Sequence, residues 1–201
     1  MRAFWKLLAG AVASLTITAA IAANVPLISG AQDPSNVNAN LNQVIQAINA
    51  NTGGLINAQT GAVATGTGTA EQTLQTFSLP PNTLTSAGQM LRIACWGATG
   101  ATANNKTVKL YFGSSVITTP TYAGNAQSWY LELIVMRTGA ATQAVVGNGM
   151  AGTGSVTPVA VYTNAGTEDL TAAVTIKCTG TDGTSAAADI TANGMIVTAS
   201  K

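Results

Sequence analysis

The stretch of sequence that decides the fold is SWYLELIVMR, residues 128–137. Successive side chains of a strand point to opposite faces of its sheet, so alternation divides this stretch into two sets: Trp129, Leu131, Leu133 and Val135 on one face, and Tyr130, Glu132, Ile134 and Met136 on the other. A sheet with one face in water should carry polar residues in the second set, whereas that set is largely apolar. The stretch therefore predicts a long strand whose outer face is covered, by a neighbouring subunit or by loops of the same chain.

Short β segments recur on both sides of this stretch, from about residue 72 to the C-terminus. The pattern predicts strands at residues 73–79, 90–97, 107–112, 116–119, 128–137, 142–147, 159–163, 170–179 and 189–199. Clusters of Gly, Pro and Asn bound each of them. So many short strands in one domain predict a mainly β fold, an antiparallel β-sandwich with jelly-roll-like topology over residues 72–201.

A helix is predicted ahead of the sandwich. Between Asp33, a candidate N-cap, and Gly53, apolar residues recur at intervals of four, three and four: Val37, Leu41, Val44 and Ile48. This spacing is the a/d stripe of a coiled coil. A lone helix of this length is marginal in water, so we expect it either to pack on its own domain or to form a short oligomeric bundle.

The remaining N-terminal segments lack regular patterns. Residues 1–24 combine Arg2 and Lys6 with an apolar run, which predicts either a secretion signal cleaved after Ala22 or a retained anchor buried in a larger assembly. Residues 25–54 are predicted to comprise an extended docking segment and the oligomerising helix. Residues 55–71, rich in Gly and Thr, are predicted to form a neck that stays flexible or wraps along a neighbour.

Composition narrows the class of protein. Charged residues make up only 7 % of the chain, against about 25 % in typical soluble domains, so Thr, Asn, Ser and Gln must supply solubility. This composition favours a β-rich extracellular or virion protein. A formal net charge of +1 offers no basic patch to neutralise phosphates, which argues against a nucleic-acid partner.

The inventory for catalysis is poor. The chain contains no histidine, which excludes Ser-His-Asp and Cys-His nucleophile arrangements and the commonest metal ligand. Asp182 and Asp189, across the last loop, are a candidate carboxylate pair for glycoside hydrolysis, and Asp182 alone is a weak candidate for a Ca²⁺ loop. We expect no enzymatic activity, no catalytic residue, no cofactor and no metal.

Two cysteines end alternating apolar series. Cys95 follows Leu91 and Ile93, and Cys178 follows Val174 and Ile176, so each is predicted on the inner face of a strand. The sequence leaves two states open, free buried thiols or one bridge between neighbouring strands, because Cα geometry decides between them.

Two segments carry a resemblance. Residues 26–34, PLISGAQDP, leading into the Asn-rich helix, resemble N-terminal parts of tailed-phage structural proteins. Residues 91–97, 103–113 and 129–140 look like a β-head module of phage fibre and spike proteins. The resemblance implies a homotrimeric virion component, with residues 1–35 contacting other virion proteins, a short helical bundle and an outward-facing sandwich head.

Two functional classes follow from these observations. The first is a virion fibre or spike that decorates the phage particle or contacts the host surface. The second is a secreted bacterial surface- or carbohydrate-binding module. The predicted oligomer interface comprises Val37, Leu41, Val44, Ile48, Tyr130, Ile134 and Met136. The predicted binding surface for a host glycan or protein lies in loops 97–105 and 119–127 and comprises Trp96, Asn104, Asn105, Tyr122 and Asn125.

Overall fold

The computed structural model describes residues 41, 44, 54–119, 121–123, 125–152 and 157–200. The chain divides into two compact units, residues 1–48 and residues 49–201. In the first unit Leu41 and Val44 are helical, in agreement with the predicted helix, and Val37 and Ile48 lie outside the described residues. No helix in the described part of the chain is long and apolar enough to cross a membrane.

The described part of the second unit contains twelve strands. They are β1 (Gly54–Gln59), β2 (Val63–Ala64), β3 (Gln72–Leu79), β4 (Met90–Thr99), β5 (Asn105–Phe112), β6 (Ser115–Thr118), β7 (Tyr122–Ala123), β8 (Ser128–Gly139), β9 (Thr142–Gly152), β10 (Thr157–Gly166), β11 (Val174–Asp182) and β12 (Ile190–Ser200). Each of the nine predicted strands is present, with ends shifted by a few residues.

The strands form two antiparallel sheets. Sheet A has the order β1-β12-β4-β8-β9-β10, with β2 beside β12, and sheet B has the order β3-β11-β5-β6, with β7 beside β5. The pairs β1–β12, β3–β11, β4–β8 and β5–β6 are nested along the chain, as in one long hairpin rolled into two layers. This is a jelly-roll arrangement, to which β9 and β10 add a further hairpin on sheet A. The predicted fold class is confirmed.

The core lies between the sheets and follows the alternation of β8. Trp129, Leu131, Leu133 and Val135 are all buried, while the intervening side chains of β8 lie on the outer face of sheet A. Gly97 of β4 permits this packing, since a Cβ there would lie 1.8 Å from the Thr191 carbonyl oxygen and 2.5 Å from the Trp129 ring. Any larger residue at Gly97 would have to push the sheet apart.

Two boundaries differ from the sequence-based predictions. β1 and β2 lie in the range 55–71 predicted as a neck: β1 pairs with β12 at the edge of sheet A, where shallow burial leaves little apolar alternation to detect. The strand predicted over 170–179 begins only at Val174. The Asp169 carboxylate accepts hydrogen bonds from the Thr171 backbone N–H (2.9 Å) and hydroxyl (2.6 Å), which holds the preceding residues in a turn.

The two cysteines are free, buried thiols. Cys95 belongs to β4 of sheet A and Cys178 to β11 of sheet B, so they meet across the core rather than along one sheet. Burial raises the pKa of the Cys178 thiol, and its contact with Cys95 raises that pKa further, which keeps the thiol protonated and unreactive.

Candidate functional site

The two loops predicted to bind a surface lie side by side at one end of the sandwich. The Thr99 N–H donates to the Gln127 carbonyl oxygen (2.8 Å), and the Ala126 N–H donates to the Gly100 carbonyl oxygen (2.8 Å). The loop that joins β11 to β12 completes this end, because the Gly183 N–H donates to the Asn105 carbonyl oxygen at 2.7 Å. We call these three loops, residues 97–105, 119–127 and 183–189, the loop end.

The loop end contains only part of the predicted binding set. Asn105 and Asn125 are exposed, and Tyr122 is placed nearby through its backbone pairing with Lys106. Asn104 differs from the prediction, since its amide is turned inward and donates to the Asp182 carboxylate and to the Thr184 hydroxyl (2.5 Å). Trp96 lies elsewhere, on the outer face of sheet A, where its ring covers Gly194.

A fully buried charged cluster lies behind these loops. Lys106 and Asp182 have 0 % of their surface exposed and Asp189 has 2 %. The Lys106 ammonium lies 3.2 Å from Asp189 Oδ2, and it donates to the Asn104 Oδ1 (2.7 Å) and to the Thr102 carbonyl oxygen (2.8 Å). We call the buried Lys106, Asp182 and Asp189, together with their more exposed hydrogen-bond partners Thr102 and Asn104, the buried Lys–Asp cluster.

The pKa values of the two carboxyls of this cluster shift in opposite directions. Burial raises the pKa of Asp182, and the nearby Asp189 carboxylate raises it further, against a hydrogen bond from the Thr184 backbone. Burial acts on Asp189 in the same direction, but the Thr102 hydroxyl, the Asn104 amide and the Lys106 ammonium together hold the pKa of Asp189 below its usual range. At neutral pH Asp189 is therefore the natural counter-ion of Lys106.

This arrangement bears on the two site hypotheses for Asp182 and Asp189. The carboxyls do come together, as a glycosidase would require, but both are sealed from solvent and Asp189 is paired with Lys106. Within the described residues, no group of three or more His, Cys, Asp or Glu side chains is placed to hold a metal ion. The Lys106 ammonium is surrounded by oxygen acceptors of Thr102, Asn104 and Asp189.

A second candidate surface is the outer face of sheet A. Cross-strand pairs join its apolar side chains across three strands: Trp96 is opposite Tyr130, Tyr130 is opposite Met150, and Ile134 is opposite Val146. Met136, Val146 and Met150 are 36 %, 38 % and 48 % exposed. We call Trp96, Tyr130, Ile134, Met136, Val146 and Met150 the sheet A patch. Among the residues that the structure describes, no loop covers Met136, Val146 and Met150.

One polar group interrupts the sheet A patch. The Glu132 carboxylate accepts hydrogen bonds from Arg92 Nε (2.6 Å) and from the Tyr130 hydroxyl (2.6 Å). The Arg92 guanidinium lowers the pKa of Glu132, and burial together with the Glu132 carboxylate raises the pKa of Tyr130 to about 12. The group is therefore internally neutralised and leaves the patch without net charge.

Sequence reasoning missed two features that simple alternation could have found. Met150 was not recognised because the predicted strand stopped at residue 147, although the pattern Val146-Asn148-Met150 continues it, and Val146 lay inside that strand without being assigned to a face. Lys106 lies in phase with Val108 and Leu110 on the inner face of β5, but the predicted strand began at residue 107 and left it out.

Comparison with known proteins gives no family. No family model matches the chain, and no curated protein matches it. Among solved structures, a similar one is the CBM2 module of the evolved Dit of Lactobacillus casei BL23 phage J-1, with a TM-score of 0.33 and 8 % identity over 61 % of this chain and 67 % of that one. A likeness at this level carries no argument about function.

Proposed function

We propose that this chain is a non-enzymatic structural protein of a tailed-phage particle. In this proposal it forms a homotrimeric fibre or spike, its residues 1–35 attach to other virion proteins, and its sandwich decorates the particle or contacts the host surface through the loop end. The observation that carries the proposal is the uncovered sheet A patch.

The chemistry of the sheet A patch favours a protein partner. Monomeric proteins rarely expose a large contiguous apolar patch without a function for it, and protein interfaces are depleted of charge at their centre and rich in Tyr, Trp and Met. The sheet A patch has this composition, and its one ion pair, Arg92 with Glu132, is satisfied within the chain. A second copy of the same weakly charged chain is the partner that fits.

The predicted helix supports assembly as well. Leu41 is exposed within the single chain, although the a/d spacing predicts that it lies on the apolar seam of the helix. The number of copies, three, comes from the resemblance to phage fibres and not from the helix, because its mixed Leu and β-branched seam does not separate dimers from trimers.

The buried Lys–Asp cluster supports a non-enzymatic role. A glycosidase needs two carboxyls that contact one substrate. Here Lys106 forms an ion pair with Asp189, and the loop end covers both carboxyls. A substrate would have to displace three hydrogen-bonded loops to reach Asp182.

The virion role is tested by locating the protein. Particles banded by density gradient from lysates of the producing cells should contain this chain in a fixed ratio to the capsid protein, and antibodies against the sandwich should label one site on them. Recovery of the chain only from the particle-free culture medium, with a mature N-terminus at Ala23, would contradict the proposal.

A secreted glycan-binding module is the second candidate, and one observation favours it. Trp96 and Tyr130 are cross-strand neighbours on an accessible sheet face, and adjacent aromatic rings are the usual platform for sugar stacking. This candidate predicts that a neutral cell-surface polysaccharide retards the protein in affinity electrophoresis and that Trp96→Ala abolishes the retardation. The fibre proposal predicts that any retardation depends on the loop end instead.

A further inference from the structure

We propose that Lys106 and Asp189 condense into an intramolecular isopeptide bond, with Asp182 as the assisting acid. The bond would tie the start of β5 in sheet B to the turn that leads into β12 in sheet A. It would be a covalent link between the two layers of the sandwich, formed by the chain itself, and it does not depend on the function proposed above.

The geometry places the nucleophile beside its acyl group. Lys106 Nζ lies 3.2 Å from Asp189 Oδ2, and both side chains are sealed from solvent. Reacting groups held at about 3–3.5 Å in a fixed orientation gain much of the rate advantage of an intramolecular reaction. Thr102 holds Asp189 in place, since its hydroxyl donates to the Asp189 carboxylate and also accepts from Lys106 Nζ at 3.0 Å.

Burial supplies the driving force. Removing two opposite charges from water is costly, and their attraction repays that cost only partly. Condensation removes both charges and leaves a neutral amide, so the dry site favours a product that bulk water would hydrolyse. The nucleophile in this reaction is the uncharged amine, which Lys106 becomes when its ammonium passes a proton to the Asp189 carboxylate.

The step balances without any further reactant. A proton passes from the Lys106 ammonium to the Asp189 carboxylate, which gives a neutral amine and a carboxylic acid. The Nζ lone pair then attacks Asp189 Cγ, so that an N–C bond forms and a C–O bond breaks. One water leaves, made from the Asp189 hydroxyl oxygen with its proton and one proton from the nitrogen.

Asp182 is placed to relay that last proton. It lies directly opposite Lys106 in the pairing of β11 with β5. Its Oδ1 is held by the Asn104 amide and the Thr184 N–H, whereas its buried Oδ2 has no hydrogen-bond partner among the residues that the structure describes. An acid with a raised pKa and one unengaged oxygen can donate to the departing hydroxyl and accept a proton from the attacking nitrogen.

A second lysine on the same strand provides the matched control. Lys109 Nζ lies 2.6 Å from Glu71 Oε2, closer than the Lys106 pair, but the two side chains are 29 % and 31 % exposed. Water stabilises both ions there and would favour hydrolysis of an amide. Proximity alone therefore predicts a bond at Lys109, and burial predicts it only at Lys106.

The test is a tryptic digest of the full chain after reduction and alkylation, which removes any disulfide between Cys95 and Cys178. A modified Lys106 resists trypsin, so the proposal predicts a branched product of residues 93–109 joined to residues 178–201, lighter than the two peptides by one water. Fragmentation should place the junction at Asp189. Recovery of linear peptides 93–106 and 178–201 at their sequence masses would overturn the proposal.

Variants assign the roles. Lys106→Arg should give only linear peptides, because a guanidinium is not a nucleophile at neutral pH, and Lys109→Arg should leave the junction intact. Asp189→Asn should yield a junction of the same final mass as the wild type, since ammonia replaces water as the leaving group. Asp182→Asn should reduce linkage to a small fraction. A junction that loses ammonia in the wild type would assign the bond to Asn104 and overturn the role of Asp189.

Discussion

The outer faces of the two sheets belong to one weakly charged chain, yet they differ in the polarity of their side chains. The outer face of sheet A carries the apolar sheet A patch. The outer face of sheet B carries a polar network centred on Glu71, whose carboxylate accepts hydrogen bonds from Lys109 (2.6 Å), Tyr111 (2.7 Å) and Thr179 (2.7 Å). Among the described residues, sheet B satisfies polar groups of its outer face with its own side chains, whereas sheet A leaves apolar side chains of its outer face exposed.

The charged groups on the two outer faces also differ in their surroundings. Burial alone would raise the pKa of Glu71, but the hydrogen bonds from Lys109, Tyr111 and Thr179 lower it to about 2, and the Lys177 ammonium lies 4.7 Å from the Tyr111 ring centroid. These charged groups stay hydrated. On sheet A the single carboxylate, Glu132, is more deeply set and is neutralised by Arg92.

The largest effect is expected from the core that supports both faces. Leu133→Ala removes a fully buried side chain of β8 and should lower the free energy of unfolding by about 2–5 kcal/mol, as measured by urea denaturation. Both faces should be lost in one transition. Separate unfolding of the two sheets would contradict the single core described here.

A smaller effect is expected at the polar group of sheet A. The Glu132 side chain is 12 % exposed, so Glu132→Gln should lower the free energy of unfolding by about 1–2 kcal/mol through weakened hydrogen bonds to Arg92 and Tyr130. Glu71→Gln on sheet B is the matched control. An equal or larger loss for Glu71→Gln would erase the distinction between the two faces.

The smallest effect, and one that depends on pH, is expected at Glu71 itself. Its pKa is lowered from 4.5 to about 2 in the folded chain, so its contribution is present above pH 4.5 and is lost as the pH falls towards 2. Since the group is partly exposed, the contribution should be about 1 kcal/mol or less. A plot of melting temperature against pH over this range should be flatter for Glu71→Gln than for the wild type. Parallel curves would show that the network adds nothing.

The parts of the fold that sequence predicted are those in which burial alternates. β8 and the other long strands are recognisable in the sequence because every second side chain is apolar and packs in the core. β1 does not, because Leu55 at the sheet edge is exposed and the segment reads as a Gly- and Thr-rich linker. β1 and β12 are the first and the last strand in chain order, so no local sequence pattern specifies their pairing.

The positions of the candidate site residues were predictable only in part. Loops 97–105 and 119–127 were both named as candidate binding loops, and the structure places them side by side, while binding through them stays a prediction. Asn104 was expected at the surface, but a polar residue next to a buried charge is drawn inward by the need to satisfy it. That need became visible only once Lys106 was known to be buried.

Sedimentation of the full chain and of two lysine variants decides whether a second copy covers the sheet A patch. Ile134→Lys places a charge in the sheet A patch, whereas Thr175→Lys places the same charge on the exposed outer face of sheet B. We expect the wild type and Thr175→Lys to sediment as trimers, and Ile134→Lys, still folded, to dissociate at protein concentrations at least about tenfold higher than the wild type. A monomeric wild type, or an Ile134→Lys variant that sediments like the wild type at every concentration, would contradict this expectation.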